Sequence, residues 1–145
     1  MRVVLQRVIA ATVSAEGDVV GNIDRGLLAL VGVGQTSTIE DATWLAGKTA
    51  DLRIFDDEAG RMNRSVREIE GAVLAVSQFT LYGDPRKGRR PSFAGAAEPA
   101  RARHLYDAYC AALPVRVQRG VFGSYMRICA EADGPVTILL EREGS

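Results

Sequence analysis

The sequence is short of nearly every residue set that conventional catalysis draws on. It has one histidine, His104, among 145 residues. A serine hydrolase needs a base beside its nucleophile and a group orienting that base, so any triad would have to use His104. GxSxG is absent. Cysteine is nearly as scarce: Cys110 and Cys129 are the only two, and no CxxC occurs. That excludes a disulfide scaffold and leaves few ligands for a catalytic zinc. There is no Walker A loop, and the GVG at 32–34 lacks the later glycine and the helix of a dinucleotide fingerprint. No apolar run is long enough to span a bilayer. The start, MRVVLQRV, lacks the long apolar stretch of a secretory signal. The simplest account is a cytoplasmic protein without membrane contact, cofactor or metal. Eighteen basic residues balance eighteen acidic ones. A net charge of zero argues against indiscriminate nucleic-acid coating. It leaves room for a local basic site, because charge distribution sets the field at a groove.

What is present describes one domain over residues 1–145, with an apolar share of 47% and enough chain for a core of its own. Val3, Leu5 and Arg7 alternate with Arg2, Val4 and Gln6 in a first strand with one largely buried face. Turns at 16–18 and 24–26 frame VVGNI, and LLALVGVG reads as a strand apolar on both faces, suggesting a meander. STIE at 37–40 fits a capping box with Ser37 and Glu40, opening a helix that ends near Asp51. FDDEAGRMN reads as a charged turn or hairpin connection. GAVLAVSQFTL, residues 71–81, reads as the best core strand. A second helix begins near Pro99 and closes at Pro114, with Ala102, Leu105, Tyr106, Tyr109, Cys110 and Leu113 in one stripe. Two final strands flank an Asp133-Gly134 turn. The fold class is α+β, many strands with two principal helices.

Chemistry has few places to sit. His104 reads as a half-exposed helical histidine. Asp56, Asp57 and Glu58 read as a solvated turn before a metal site. That leaves backbone N–H groups, which stabilise an oxyanion without a special side chain. The junction of Ser77, Gln78, Phe79, Thr80 and Leu81 with a basic loop can present such donors. Thr80 is equally at home as a plain strand residue. Arg86, Lys87, Arg89 and Arg90 are either a solvated loop or contacts to an RNA backbone. Gly134-Pro135 reads first as a hairpin end, although glycine also permits close approach by another group.

Taken together, MRVVLQRV, LRIFDDEAGRMNRSV, SQFTLYGD with KGRRPSF, VFGSYM and DGPVT resemble the D-aminoacyl-tRNA deacylase family from the first residue to about Leu140. The resemblance implies a barrel-like, mainly antiparallel fold and a homodimer. It implies hydrolysis of the ester joining a D-amino acid to the tRNA 3′ end, and removal of glycine from mischarged glycyl-tRNA(Ala). Gly134 and Pro135 would form a cis pair inserted into the partner's site, excluding L side chains. Ser77 and Leu81 would line the pocket, with Gln78, Phe79 and Thr80 at the reaction centre and the Phe79 amide as oxyanion donor. The terminal ribose 2′-hydroxyl would help activate water, making Thr80 supportive. Arg7 would hold the Gly-Pro loop. A non-catalytic tRNA-binding dimer is the alternative. The family commonly has asparagine where Ala132 stands and alanine where Gly83 and Ser124 stand.

Overall fold

The computed structural model describes residues 1–144. Strand β1 (Arg2–Ala15) organises the sheet. One edge is shared by two partners: residues 2–8 pair antiparallel with β3 (Gly26–Gly32) and residues 11–15 with β2 (Asp18–Ile23). The other edge is taken by the long last strand, β8 (Met126–Glu141). Two short strands, β4 (Phe55–Asp56) and β5 (Met62–Arg64), form the expected charged hairpin. Next to β3 lie β6 (Ala72–Ser77) and then β7 (Arg116–Arg119), both parallel. The sheet curls until its ends approach. A Cβ on Gly21 of β2 would stand 3.0 Å from the Arg119 carbonyl of β7. The result is a nearly closed, barrel-like sheet in a single domain with two helices.

Strand alternation divides the apolar residues into two layers. Val8, Ala11, Val13, Leu28, Leu74 and Val76 form one cluster. Leu5, Leu27, Val73 and Ala75 face the other way, into a second cluster with Leu45, Leu105, Tyr106 and Tyr109 of the helices. This explains why LLALVGV and AVLAV are apolar on both faces: each is covered twice. Helix α1 (Ile39–Asp51) meets helix α2 (Pro99–Ala112) through the Thr49 hydroxyl, 2.8 Å from that of Tyr109. The buried Tyr106 hydroxyl donates to the Ala75 carbonyl at 2.8 Å. No helix among the described residues is long and apolar enough to cross a membrane.

Four expectations are corrected. The N-terminal strands are no simple meander, because β3 folds back to pair beside β2 on the same edge of β1. The capping box is one residue later than expected: Thr38 caps α1 with Asp41. Ser37 is fully buried instead, its hydroxyl accepting the Gly34 N–H at 2.9 Å. The strand at 71–81 stops at Ser77, and Phe79–Tyr82 form a 3-10 helix. Finally, Asp133 and Gly134 do not separate two strands. β8 runs through them against β1, and register irregularities between Gln6 and Val8 and between Val8 and Ala10 take up the extra chain. The outer reach of β8 is exposed, Ile128 at 37% and Leu139 at 65% included.

Candidate active site

The parallel strands β3, β6 and β7 all end at one edge of the sheet. Ligands in α/β sheets bind off such carboxyl ends, and the 3-10 helix sits there. Ser77 closes β6 opposite Val31. The Gln78 N–H makes the last bond to β3, donating to the Val31 carbonyl at 2.8 Å. The chain then tightens into the helical turn. The N–H groups opening a helical turn have no partner within it, and the Phe79 amide is the first of this turn. Thr80 is exposed and contacts the Gln78 side-chain amide. Leu81 packs over Gly32, and its carbonyl accepts from Arg2 Nη1 at 2.8 Å.

Phe79 is 56% exposed. Its ring meets that of Phe93 edge-on, centroids 5.2 Å apart. Phe93 was not singled out from the sequence. It stands fourteen positions after Phe79, and only the closed loop between them, with its Asp84–Ser92 bridge, brings the rings together. That loop carries the four cations, all exposed. Arg86 is engaged, gripping Asp84 through Nε–Oδ1 at 2.8 Å and Nη2–Oδ2 at 2.7 Å. Those bonds pull the exposed Asp84 carboxyl down to about 2.

Gly134-Pro135 is a cis pair, exposed on β8. Arg7 holds the segment from behind. The guanidinium is buried, Nε donating to the Asp133 carbonyl at 3.1 Å and Nη1 to the Ile54 carbonyl at 2.8 Å. The Asp133 and Asp56 carboxylates stand 3.4 and 3.6 Å away. Charged donors to fixed carbonyls are among the stronger hydrogen bonds, and their aim sets the position of the loop.

Within one chain the two segments do not meet. Ser77 pairs at the level of Val31, which pairs with Val3. Gly134 and Pro135 lie opposite the Gln6-to-Val8 stretch, on the far edge of β1. The offset is about four residues along the strand, roughly 13 Å, and three strand spacings across, roughly 14 Å. No single side chain bridges that gap.

The remaining candidates are spent locally. Asp57 accepts the Ala59 and Arg61 N–H groups at 2.8 and 3.0 Å, so with the Arg61 amide foremost its carboxyl lies below the ordinary range. Glu58 pairs with Arg64 at 3.6 Å and Asp56 with Arg7. His104 is exposed on α2, as a solvated helical histidine would be. Among the described residues no group of three or more His, Cys, Asp or Glu is placed to hold a metal.

The family model described as D-Tyr-tRNA(Tyr) deacylase matches residues 4–141. The D-aminoacyl-tRNA deacylase of Deinococcus deserti is 57% identical over 97% of this chain and 99% of its own length. That of Exiguobacterium sibiricum is 54% identical over 98% and 100%. The chain belongs to the D-Tyr-tRNA(Tyr) deacylase family. Solved structures agree on the fold. A c-Myc DNA unwinding element binding protein superposes with a TM-score of 0.93 at 35% identity, covering 99% of this chain and all of its own. A probable eukaryotic D-amino acid tRNA deacylase superposes with a TM-score of 0.82 at 22% identity, covering 96% and 97%.

Three departures from the deacylase pattern find a structural setting. Ala132 is exposed opposite Val8 and has no polar side chain to brace the loop, and Arg7 supplies that bracing. At Gly83 a Cβ would stand 3.0 Å from the Phe93 ring edge. Glycine there lets Phe93 close against Phe79. Ser124 lies in a turn, its N–H donating to the Val121 carbonyl at 3.2 Å.

Proposed function

We propose that this protein hydrolyses the ester bond of D-aminoacyl-tRNA, releasing free tRNA and the D-amino acid, at sites shared between two subunits. What carries the reaction is the match along the whole chain to proteins named for it, with both the 77–81 segment and Gly134-Pro135 in place. What supports the shared site is the separation of those segments within one chain. The edge strand points the same way. β8 is 16 residues long and has one neighbour, β1, among the described residues. A long unpaired edge is ordinarily covered, and a second copy covers it in an isologous homodimer.

In this reading water attacks the ester carbonyl and the tetrahedral oxyanion accepts from the Phe79 N–H. The C–O bond to the ribose 3′-oxygen breaks, and that oxygen leaves with the proton given up by the attacking water, relayed through the vicinal 2′-hydroxyl. The Gly134 and Pro135 carbonyls of the partner meet the substrate α-amino group. They occupy the space an L side chain would need. Selection is by exclusion, so the side-chain identity of a D substrate matters little. Glycine has nothing to exclude, which makes glycyl-tRNA(Ala) a second substrate.

The direct test uses tRNA charged with the D or the L form of one amino acid. Release of the D form alone is expected. Equal release of both, or of neither, contradicts the reading. Salt-sensitive tRNA binding without cleavage would instead identify a non-catalytic tRNA-binding dimer.

Two further outcomes follow. Thr80→Ala is expected to keep most of kcat, since the hydroxyl is not the nucleophile; complete loss in a folded variant would reverse that assignment. Replacing Lys87, Arg89 and Arg90 together by alanine is expected to raise KM for tRNA substrates. It should also flatten the salt dependence of log KM by roughly 2–3 per decade of salt. Arg86→Ala should do less, because Arg86 already spends its fork on Asp84.

A further inference from the structure

The chain beyond β8 does more than end the sheet. The Arg142 N–H donates to the Met1 carbonyl at 2.9 Å, one step past β8. The tail then lies between α1 and the 3-10 helix. On the α1 side, Arg142 Nε stands 3.5 Å from Asp41 Oδ1, and its guanidinium lies 5.4 Å from the Trp44 ring centre. The Gly144 N–H donates to Asp41 Oδ2 at 2.9 Å. Asp41 is fully buried and also caps α1. Burial alone would raise its carboxyl, but the Thr38 and Gly144 amides outweigh that and hold it below the ordinary range.

On the other side, Glu143 takes the Tyr82 hydroxyl on one carboxylate oxygen and the Thr36 hydroxyl, at 3.2 Å, on the other. Tyr82 is the last residue of the 3-10 helix. Its ring fits a slot that only glycine leaves open: a Cβ on Gly34 would come within 2.6 Å of it. Burial and the bond to Glu143 push the Tyr82 hydroxyl well above the usual tyrosine range. Arg2 covers the same ring at 4.4 Å while donating to the Leu81 carbonyl, and its Nε reaches Glu141 at 3.2 Å. The helix is thus tied at its start by Gln78 and at its end by Arg2 and Glu143. Phe79, between the ties, is more than half exposed and has little packing of its own to fix its amide.

We propose that Glu143, through Tyr82, and Arg2, through the Leu81 carbonyl, are positioning residues that aim the Phe79 amide. This rests on the reading that the amide stabilises the oxyanion. Neither residue touches substrate. A donor of this kind works only within hydrogen-bond distance of the developing charge. Loosening the tie displaces the donor without removing it, so the loss is partial.

The test uses the full chain with Tyr82→Phe, Glu143→Ala and Glu143→Gln, reading kcat and KM on D-aminoacyl-tRNA, Tm, and amide hydrogen exchange over residues 79–83. Tyr82→Phe and Glu143→Ala are each expected to lower kcat by about tenfold with KM unchanged, since small misplacements at a reacting centre are costly. Exchange over 79–83 should quicken in both. Glu143→Gln keeps an acceptor for the tyrosine and should recover most of kcat. The double variant Tyr82→Phe with Glu143→Ala should be no worse than Glu143→Ala alone, because that variant already breaks the Tyr82 bond, along with the contacts of Glu143 to Thr36 and the Met1 ammonium. A fall in Tm with kcat and exchange unchanged would overturn the proposal, showing a tail that only stabilises. Should Glu143→Ala fail to fold, Tyr82→Phe removes a single atom of the same contact and decides alone. Exchange does not depend on turnover. If the wild type leaves D-aminoacyl-tRNA intact, the reaction reading fails while exchange still decides whether the tie holds.

Discussion

Replacing Gly134 with alanine is expected to cut deacylation of D-aminoacyl-tRNA by about a hundredfold or more, since misplacement on the ångström scale at a reacting centre is worth that much. Gly134 has φ +124, a backbone region L residues rarely enter. A Cβ there would stand 2.9 Å from Val136 Cγ2, 3.0 Å from the Val136 nitrogen and 3.1 Å from Arg7 Nη2. None of the three gives way easily. The nitrogen belongs to the backbone two residues on, and Arg7 is buried and fixed by the Ile54 carbonyl. The local strain is on the order of 1–3 kcal/mol, enough to lower Tm by a few degrees without unfolding the domain. The loop must move instead, and with it the carbonyls that we propose meet the substrate. Single-turnover rates on D and L substrates check this. The D rate should collapse and the D-to-L ratio should fall. An unchanged D rate would remove Gly134 from the site.

The second large effect is expected at Phe79. Phe79→Pro removes one N–H at the first position of the 3-10 helix. Proline is well tolerated at the first position of a helix. Its neighbour Gln78, at φ −141 and ψ 80, is already outside the helical region that a following proline disfavours. The fold should therefore survive while the oxyanion loses its donor. Removing one such donor lowers kcat by about 10²–10³-fold. Phe79→Ala is the control. It keeps the amide and removes only the ring that meets Phe93, so its loss should be much smaller. Equal losses in the two variants would shift the role from the amide to the ring.

Much of the fold was readable because its signals are local. The stripe from Ala102 to Leu113 and the prolines at either end mark α2 within a few residues, and all of the stripe is buried in place. What failed was decided at a distance. FTL is built from residues that suit strands, yet the chain leaves β3 at Gln78 and tightens against Leu81 and Gly32. Asp133-Gly134 carries a hairpin-turn composition, but β1 is long enough to pair with β8 on both sides of it. The helix start was missed by one residue. S-T-I-E-D supports two capping registers, and burial of Ser37 selects the later one. The parallel pairing of β3, β6 and β7 is a long-range choice with no local mark beyond two apolar faces.

The site divides the same way. Residues 77–81, Gly134, Pro135 and Arg7 stand in contiguous motifs and were named through the family resemblance those motifs carry. Phe93, Arg2, Tyr82 and Glu143 were not. Arg2 meets Leu81 across 79 residues of chain and Tyr82 meets Glu143 across 61. Such pairs leave no pattern in one sequence.

The central claim is that each site takes residues 77–81 from one subunit and Gly134-Pro135 from the other. Complementation tests it most directly. Phe79→Pro and Gly134→Ala chains, differently tagged and co-expressed, are purified as the mixed dimer. One of its two sites then combines an intact 77–81 segment with an intact Gly-Pro pair, and the other carries both defects. The account predicts about half of wild-type deacylation per dimer, far above either homodimeric variant, because a site closed across a two-fold interface draws on both chains. A mixed dimer no more active than the two variants alone would place both segments in one subunit and contradict it.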